Sequence, residues 1–90
     1  MIRLRVFARL REIAGAKEVA VDGDQASVQK ALERFADRFG AEAKEALFDG
    51  SGEVRAGVML LVNNASPSQG PATIVTAQDV ITVLLPTSGG

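Results

Sequence analysis

One helix constrains this chain more than any other feature. Val28, Leu32, Phe35 and Phe39 recur at spacings of four, three and four, the repeat of a single apolar stripe along an α-helix. Ala31 and Ala36 widen the stripe, while Gln29, Lys30, Glu33, Arg34, Asp37 and Arg38 fall elsewhere and read as a solvated face. Ser27 stands where an N-cap is wanted, and Gly40 where a helix ends. Such a helix must bury its stripe against a surface, and one face of a mixed sheet is the economical answer.

The strands of that sheet follow from alternation. In residues 2–7, Ile2, Leu4 and Val6 point one way and Arg3, Arg5 and Phe7 the other. Phe7 thus shares an outward face with two arginines. It either covers a sheet edge or presents an aromatic anchor to a protein partner. Residues 8–15 form one helical turn with Leu10, Ile13 and Ala14 inward, and Gly15 suits its C-cap. Residues 17–21 alternate again and end at Asp22-Gly23-Asp24, which has turn chemistry. Two strands joined so briefly are antiparallel neighbours.

Residues 41–48 give a second, shorter helix anchored by Leu47 and Phe48. Residues 58–63 give a third strand, closed by Asn63-Asn64, with Asn64 suited to the left-handed region. Residues 66–71 are a loop by composition, and residues 72–75 a short extended piece. Ala77-Gln78-Asp79 turns the chain into a last strand, Val80-Ile81-Thr82-Val83-Leu84-Leu85. The first and last strands are the most apolar, so both belong near the sheet centre. The expected fold is an α+β roll of the β-grasp (ubiquitin-like) kind, a mixed sheet of four to five strands covered by one main helix plus a short second helix. It occupies residues 1–85, with residues 86–90 as a flexible tail.

Composition removes several function classes. The 90 residues include no Cys and no His, which leaves no thiol nucleophile, cysteine-held cluster, imidazole base or ordinary zinc site. No metal site is expected. Net charge is −1 and the aromatics are four Phe, so there is neither the basic stripe nor the stacking platform of a nucleic-acid binder. No apolar run approaches the ~18 residues of a membrane span, and no signal-peptide pattern opens the sequence. The expected compartment is the cytoplasm.

The last strand runs straight into Pro86-Thr87-Ser88-Gly89-Gly90. Lacking a Cβ, Gly89 and Gly90 can lie in a slot too narrow for other residues. A frayed terminus reads the same way from these residues alone.

Two stretches carry a family likeness. Phe7-Ala8-Arg9-Leu10-Arg11-Glu12-Ile13-Ala14-Gly15 is similar to an F-x-x-L-R-E-x-A-G segment. The second runs from Thr73 to Gly90, with Asp79 in the turn, Pro86 after the last strand and Ser88-Gly89-Gly90 at the end. On these the chain resembles the ubiquitin-like sulfur carriers of the MoaD/ThiS family, the MoaD side more closely. There are departures. Ala77-Gln78-Asp79-Val80 replaces an Asp-Gly-Asp-Glu turn, Asn63-Asn64 replaces Asn-Gly, and Leu84-Leu85 stand at an aromatic and a first proline position.

The resemblance implies that Gly90 is adenylated by an ATP-using, E1-like (MoeB-like) adenylyltransferase and then converted to a thiocarboxylate. On the MoaD side the sulfur goes to a pterin precursor of the molybdenum cofactor, inside molybdopterin synthase with a MoaE-like large subunit. On the ThiS side it goes to the thiazole of thiamin. Some relatives couple the same carboxylate to lysines of target proteins. Carried over, Gly90 holds the reacting carbonyl, Gly89 gives slim passage, and Pro86 stiffens the exit. Ser88 offers hydrogen bonds, and Phe7, Leu84 and Leu61 or Met59 form the docking surface. Arg11 and Glu12 read equally as local contacts. The chain binds no cofactor itself. A sulfur carrier, a lysine-linked modifier and a plain binding module with an incidental tail all remain open at this point.

Overall fold

In the computed structural model, which describes residues 1–86, the chain orders as β1 (Ile2–Val6), α1 (Ala8–Ala14), β2 (Glu18–Val21), β3 (Gln25–Ser27), α2 (Val28–Phe39), α3 (Ala41–Leu47), β4 (Met59–Val62), a 3-10 turn (Gly70–Ala72), β5 (Ile74–Thr76) and β6 (Val80–Leu84). Four strands form one sheet in the order β2-β1-β6-β4, while β3 and β5 pair separately. β1 lies antiparallel to β2 and parallel to β6, and β4 lies antiparallel to β6. The first and last strands occupy the centre, as their apolar content requires. This is the ubiquitin-like β-grasp arrangement.

The core lies between one sheet face and the helices. Ile2, Leu4, Val6, Val19, Val21, Leu60, Ile81 and Val83 come from the sheet. Val28, Ala31, Leu32, Phe35 and Ala36 come from α2, and Ala43 and Leu47 from α3. The stripe predicted for α2 is the buried face of that helix, with Phe39 packed half-buried against Phe35 at a ring separation of 4.8 Å. The Ser27 hydroxyl accepts from the Lys30 backbone N–H at 3.1 Å, so the predicted N-cap is formed. Gly40, at φ 93°, ends α2 and leads into α3.

Three local expectations change. The turn expected over residues 8–15 is a seven-residue helix, closed by Gly15 in the left-handed conformation with its N–H on the Arg11 carbonyl. It begins at Ala8, whose φ of 50° bends the chain out of β1. Gln25–Ser27 is a strand as well as the lead into α2, because it finds a partner in Ile74–Thr76. Asn63 as well as Asn64 has positive φ, 52° and 69°.

Candidate functional site

Strand parity sorts the residues of the open sheet face. With Leu60 buried on β4, Met59 and Leu61 turn to the face away from the helices. The same alternation puts Arg3 and Arg5 of β1 and Leu84 of β6 on that face. Register then sets the rows. Arg5 pairs with Thr82 and Thr82 with Leu61; Leu84 pairs with Met59. Phe7 follows Val6, the partner of Val83, in extended conformation (φ −139°, ψ 163°), which brings it level with Leu84.

The open face is therefore divided. Arg3, Arg5 and Glu18 make its β2–β1 side charged and exposed. Phe7, Leu84, Met59 and Leu61 make the other side apolar at the end where β1 and β6 finish. Met59 is 57% exposed, and Phe7, Leu61 and Leu84 are half-buried. Apolar area left in water forgoes about 25 cal/mol per Å² that contact with a partner would recover. The sequence left undecided which face of the third strand is outward; the structure places Met59 and Leu61 there together.

Phe7 is held in place locally. The Arg11 guanidinium lies over its ring, 5.1 Å from the centroid, and Arg11 Nε is 3.4 Å from the Val6 carbonyl oxygen. Arg11 thus makes local contacts with Phe7 and Val6, and Glu12 is exposed. The Phe7 carbonyl accepts from Leu10 N–H at 3.1 Å, which closes the turn at Ala8.

The start of β6 is fixed from the opposite end. The Asn63 side-chain amide donates to Asp79 at 2.8 Å, and its oxygen accepts from the Val80 N–H at 3.0 Å. Asp79 also accepts from the Thr76 N–H at 2.8 Å. These donors, Asn63 first, hold the Asp79 carboxyl below the usual carboxylate range. These bonds give the turn at Asp79 a defined geometry.

At the other end β6 delivers Leu85, half-buried against the core, and Pro86, exposed. Beside them opens a cleft of about 650 Å³ lined by Ala8, Arg9, Glu45, Ala46, Arg55, Leu85 and Pro86. Arg55 Nε donates to the Glu45 carbonyl at 2.7 Å, and Arg9 pairs with Glu42 at 3.5 Å on the surface. No single periodicity in the sequence points to this cleft, because four separate segments build it. Ser88, Gly89 and Gly90 lie outside the described residues. Among the described residues no His, Cys, Asp and Glu cluster could hold a metal, and no helix is long and apolar enough to cross a membrane.

The sequence matches the ThiS family over residues 4–90. Among solved structures, the chain is similar to SAMP1 of Haloferax volcanii at 29% identity and a TM-score of 0.79, covering 99% of this chain and 98% of that one. It is similar to small archaeal modifier protein 1 of Methanosarcina acetivorans at 27% identity and a TM-score of 0.83, covering 99% and 95%. It is also similar to a Pyrococcus furiosus protein assigned as molybdopterin converting factor subunit 1, at 25% identity and a TM-score of 0.69, covering 96% and 97%. A search of curated proteins finds no match. With the family matched over nearly its whole length, and the β-grasp roll that such a match requires in place, this chain belongs to the ThiS family of ubiquitin-like sulfur carriers and modifiers.

Proposed function

We propose that this chain carries sulfur on Gly90 as a C-terminal thiocarboxylate, for transfer to the pterin precursor of molybdopterin. The observation that carries the reading is an apolar row on the open face, half-buried Phe7 and Leu84 with exposed Met59, ending beside Pro86, four residues before Gly90 in the sequence. A docking surface at the root of a slender acyl tail lets a partner hold the roll while its active site reaches the end.

The chemistry needs a partner at each step. A carboxylate has no leaving group for a sulfur nucleophile to displace at neutral pH. A Gly90 carboxylate oxygen attacks the α-phosphorus of ATP on an E1-like, MoeB-like enzyme, and pyrophosphate leaves. Sulfide-level sulfur, as hydrosulfide from a donor, then adds to the acyl carbon; the acyl C–O bond to AMP breaks, AMP leaves, the sulfur's proton passes to solvent, and the thiocarboxylate remains. A MoaE-like large subunit accepts the tail for the transfer. In this reading Gly89, without a Cβ, lets the end pass through a narrow slot in the partner, Ser88 offers it hydrogen bonds, and Leu61 extends the apolar row at the dock. In this scheme the chain binds no cofactor, and ATP belongs to the activating enzyme.

A second reading is conjugation of Gly90 to lysines of other proteins, and the likeness to small archaeal modifier protein 1 favours it. Both readings begin with the same acyl-adenylate. Intact mass spectrometry of the protein from its native host separates them. Carriage gives a mass gain equal to one sulfur in place of one oxygen. Conjugation gives species extended by a target peptide through an isopeptide bond. Only unaltered chain, in cells making molybdopterin, would overturn the carrier reading.

A further inference from the structure

Extending the β4–β6 register by one step on the open face sets Gly57 opposite Pro86, since Met59 pairs with Leu84. A Cβ built on Gly57 would lie 3.0 Å from Pro86 Cγ and 3.1 Å from its Cβ, closer than ordinary van der Waals contact. Gly57 has no left-handed backbone to explain its identity, unlike Gly15 or Gly52. Its distinguishing feature is that the Pro86 ring occupies the space where a side chain would stand. Pro86 has no N–H with which to continue the ladder. Pro86 therefore meets Gly57 through its ring rather than by donating a ladder hydrogen bond.

We infer that Gly57 is a positioning residue, which sets the direction in which the tail leaves the sheet by giving the Pro86 ring a flat seat. This rests on the carrier reading above and adds to it a residue outside both family stretches. Docking through Phe7, Leu84 and Met59 does not need Gly57. Presentation of the terminal carbonyl to the activating enzyme does, because small displacements of a reacting group carry large rate costs.

Gly57→Val tests this in the full chain, with Gly50→Val as control. Gly50 also has no positive φ, and a Cβ there meets nothing within 4 Å. The first readout is residual dipolar couplings of the Pro86 and Leu85 Cα–Hα bonds. They shift in Gly57→Val while those of Leu4 and Ile81 hold, and neither set shifts in Gly50→Val. The second is acyl-adenylate formation with ATP and the E1-like adenylyltransferase of the same organism. kcat falls about tenfold with KM unchanged in Gly57→Val, the split expected for lost orientation rather than lost binding. Unmoved Pro86 couplings, or moved couplings with an unchanged kcat, would overturn the inference. A rise in KM alone would make Gly57 a docking residue and overturn it too. An unaltered chain that is never adenylated removes the carrier reading instead, and the couplings still decide whether Gly57 steers Pro86.

Discussion

Asn63 and Asp79 lock the start of β6 from two sides: the amide of one donates 2.8 Å to the carboxylate of the other, and the same amide's oxygen takes the Val80 N–H. With the Thr76 N–H also donating, Asp79 is held ionised below its ordinary range. A carboxyl with a depressed folded-state pKa contributes stability that is fully present above its unfolded value, about 3.9. That stability is lost as pH falls through the lower folded value. Asp79→Asn should therefore lower the thermal midpoint by a few degrees at pH 7. The difference from the unaltered chain should shrink as pH falls below about 4. Thermal melts at a series of pH values check it, and a gap that widens toward acid would contradict it.

Ala8 stores backbone strain. Its φ of 50° lies in the left-handed region, where a Cβ costs about 1 kcal/mol. Ala8→Gly should be stabilising by up to about 1 kcal/mol, despite the greater freedom glycine has when unfolded. Urea unfolding measures it. A loss of more than about 1 kcal/mol would show that Ala8 is not strained there.

Leu32 is fully buried under the sheet. Leu32→Ala should cost about 3 kcal/mol in a urea titration, a large share of what a small domain possesses. Ser27→Ala removes the acceptor of the Lys30 N–H and should cost only about 1 kcal/mol. The order of the two is the test: the helix is held chiefly by its stripe and secondarily by its cap.

Phe7 should matter to binding more than to folding, since it is half-buried and held by Arg11. Phe7→Ala should raise KM for acyl-adenylate formation about tenfold, or about 1.4 kcal/mol, with little change in kcat. Leu84→Ala should do the same, because the two residues share a row. Steady-state kinetics with the E1-like enzyme of the same organism gives the split.

Much of this was legible in the residues. The stripe from Val28 to Phe39 specified α2 and its buried face, because a periodicity of 3.6 admits one geometry. Alternation in β1 put Phe7 outward with Arg3 and Arg5. β4 was ambiguous because Met-Leu-Leu-Val is apolar at every position; alternation puts Met59 and Leu61 on one face, and only the burial of Leu60 decides that it is the open one. Gln25–Ser27 carries no strand pattern, and its partner Ile74–Thr76 makes it one. The Gly57–Pro86 contact joins residues far apart in the chain and depends on a register that no local pattern encodes.

The most direct test uses two chains, one intact and one ending at Ser88, each incubated with ATP and the E1-like adenylyltransferase of the same organism. Intact mass then reads the AMP adduct. An adduct is expected on the intact chain, lost to a sulfur nucleophile with formation of the thiocarboxylate, and none on the shortened one. Equal adenylation of both chains would contradict this.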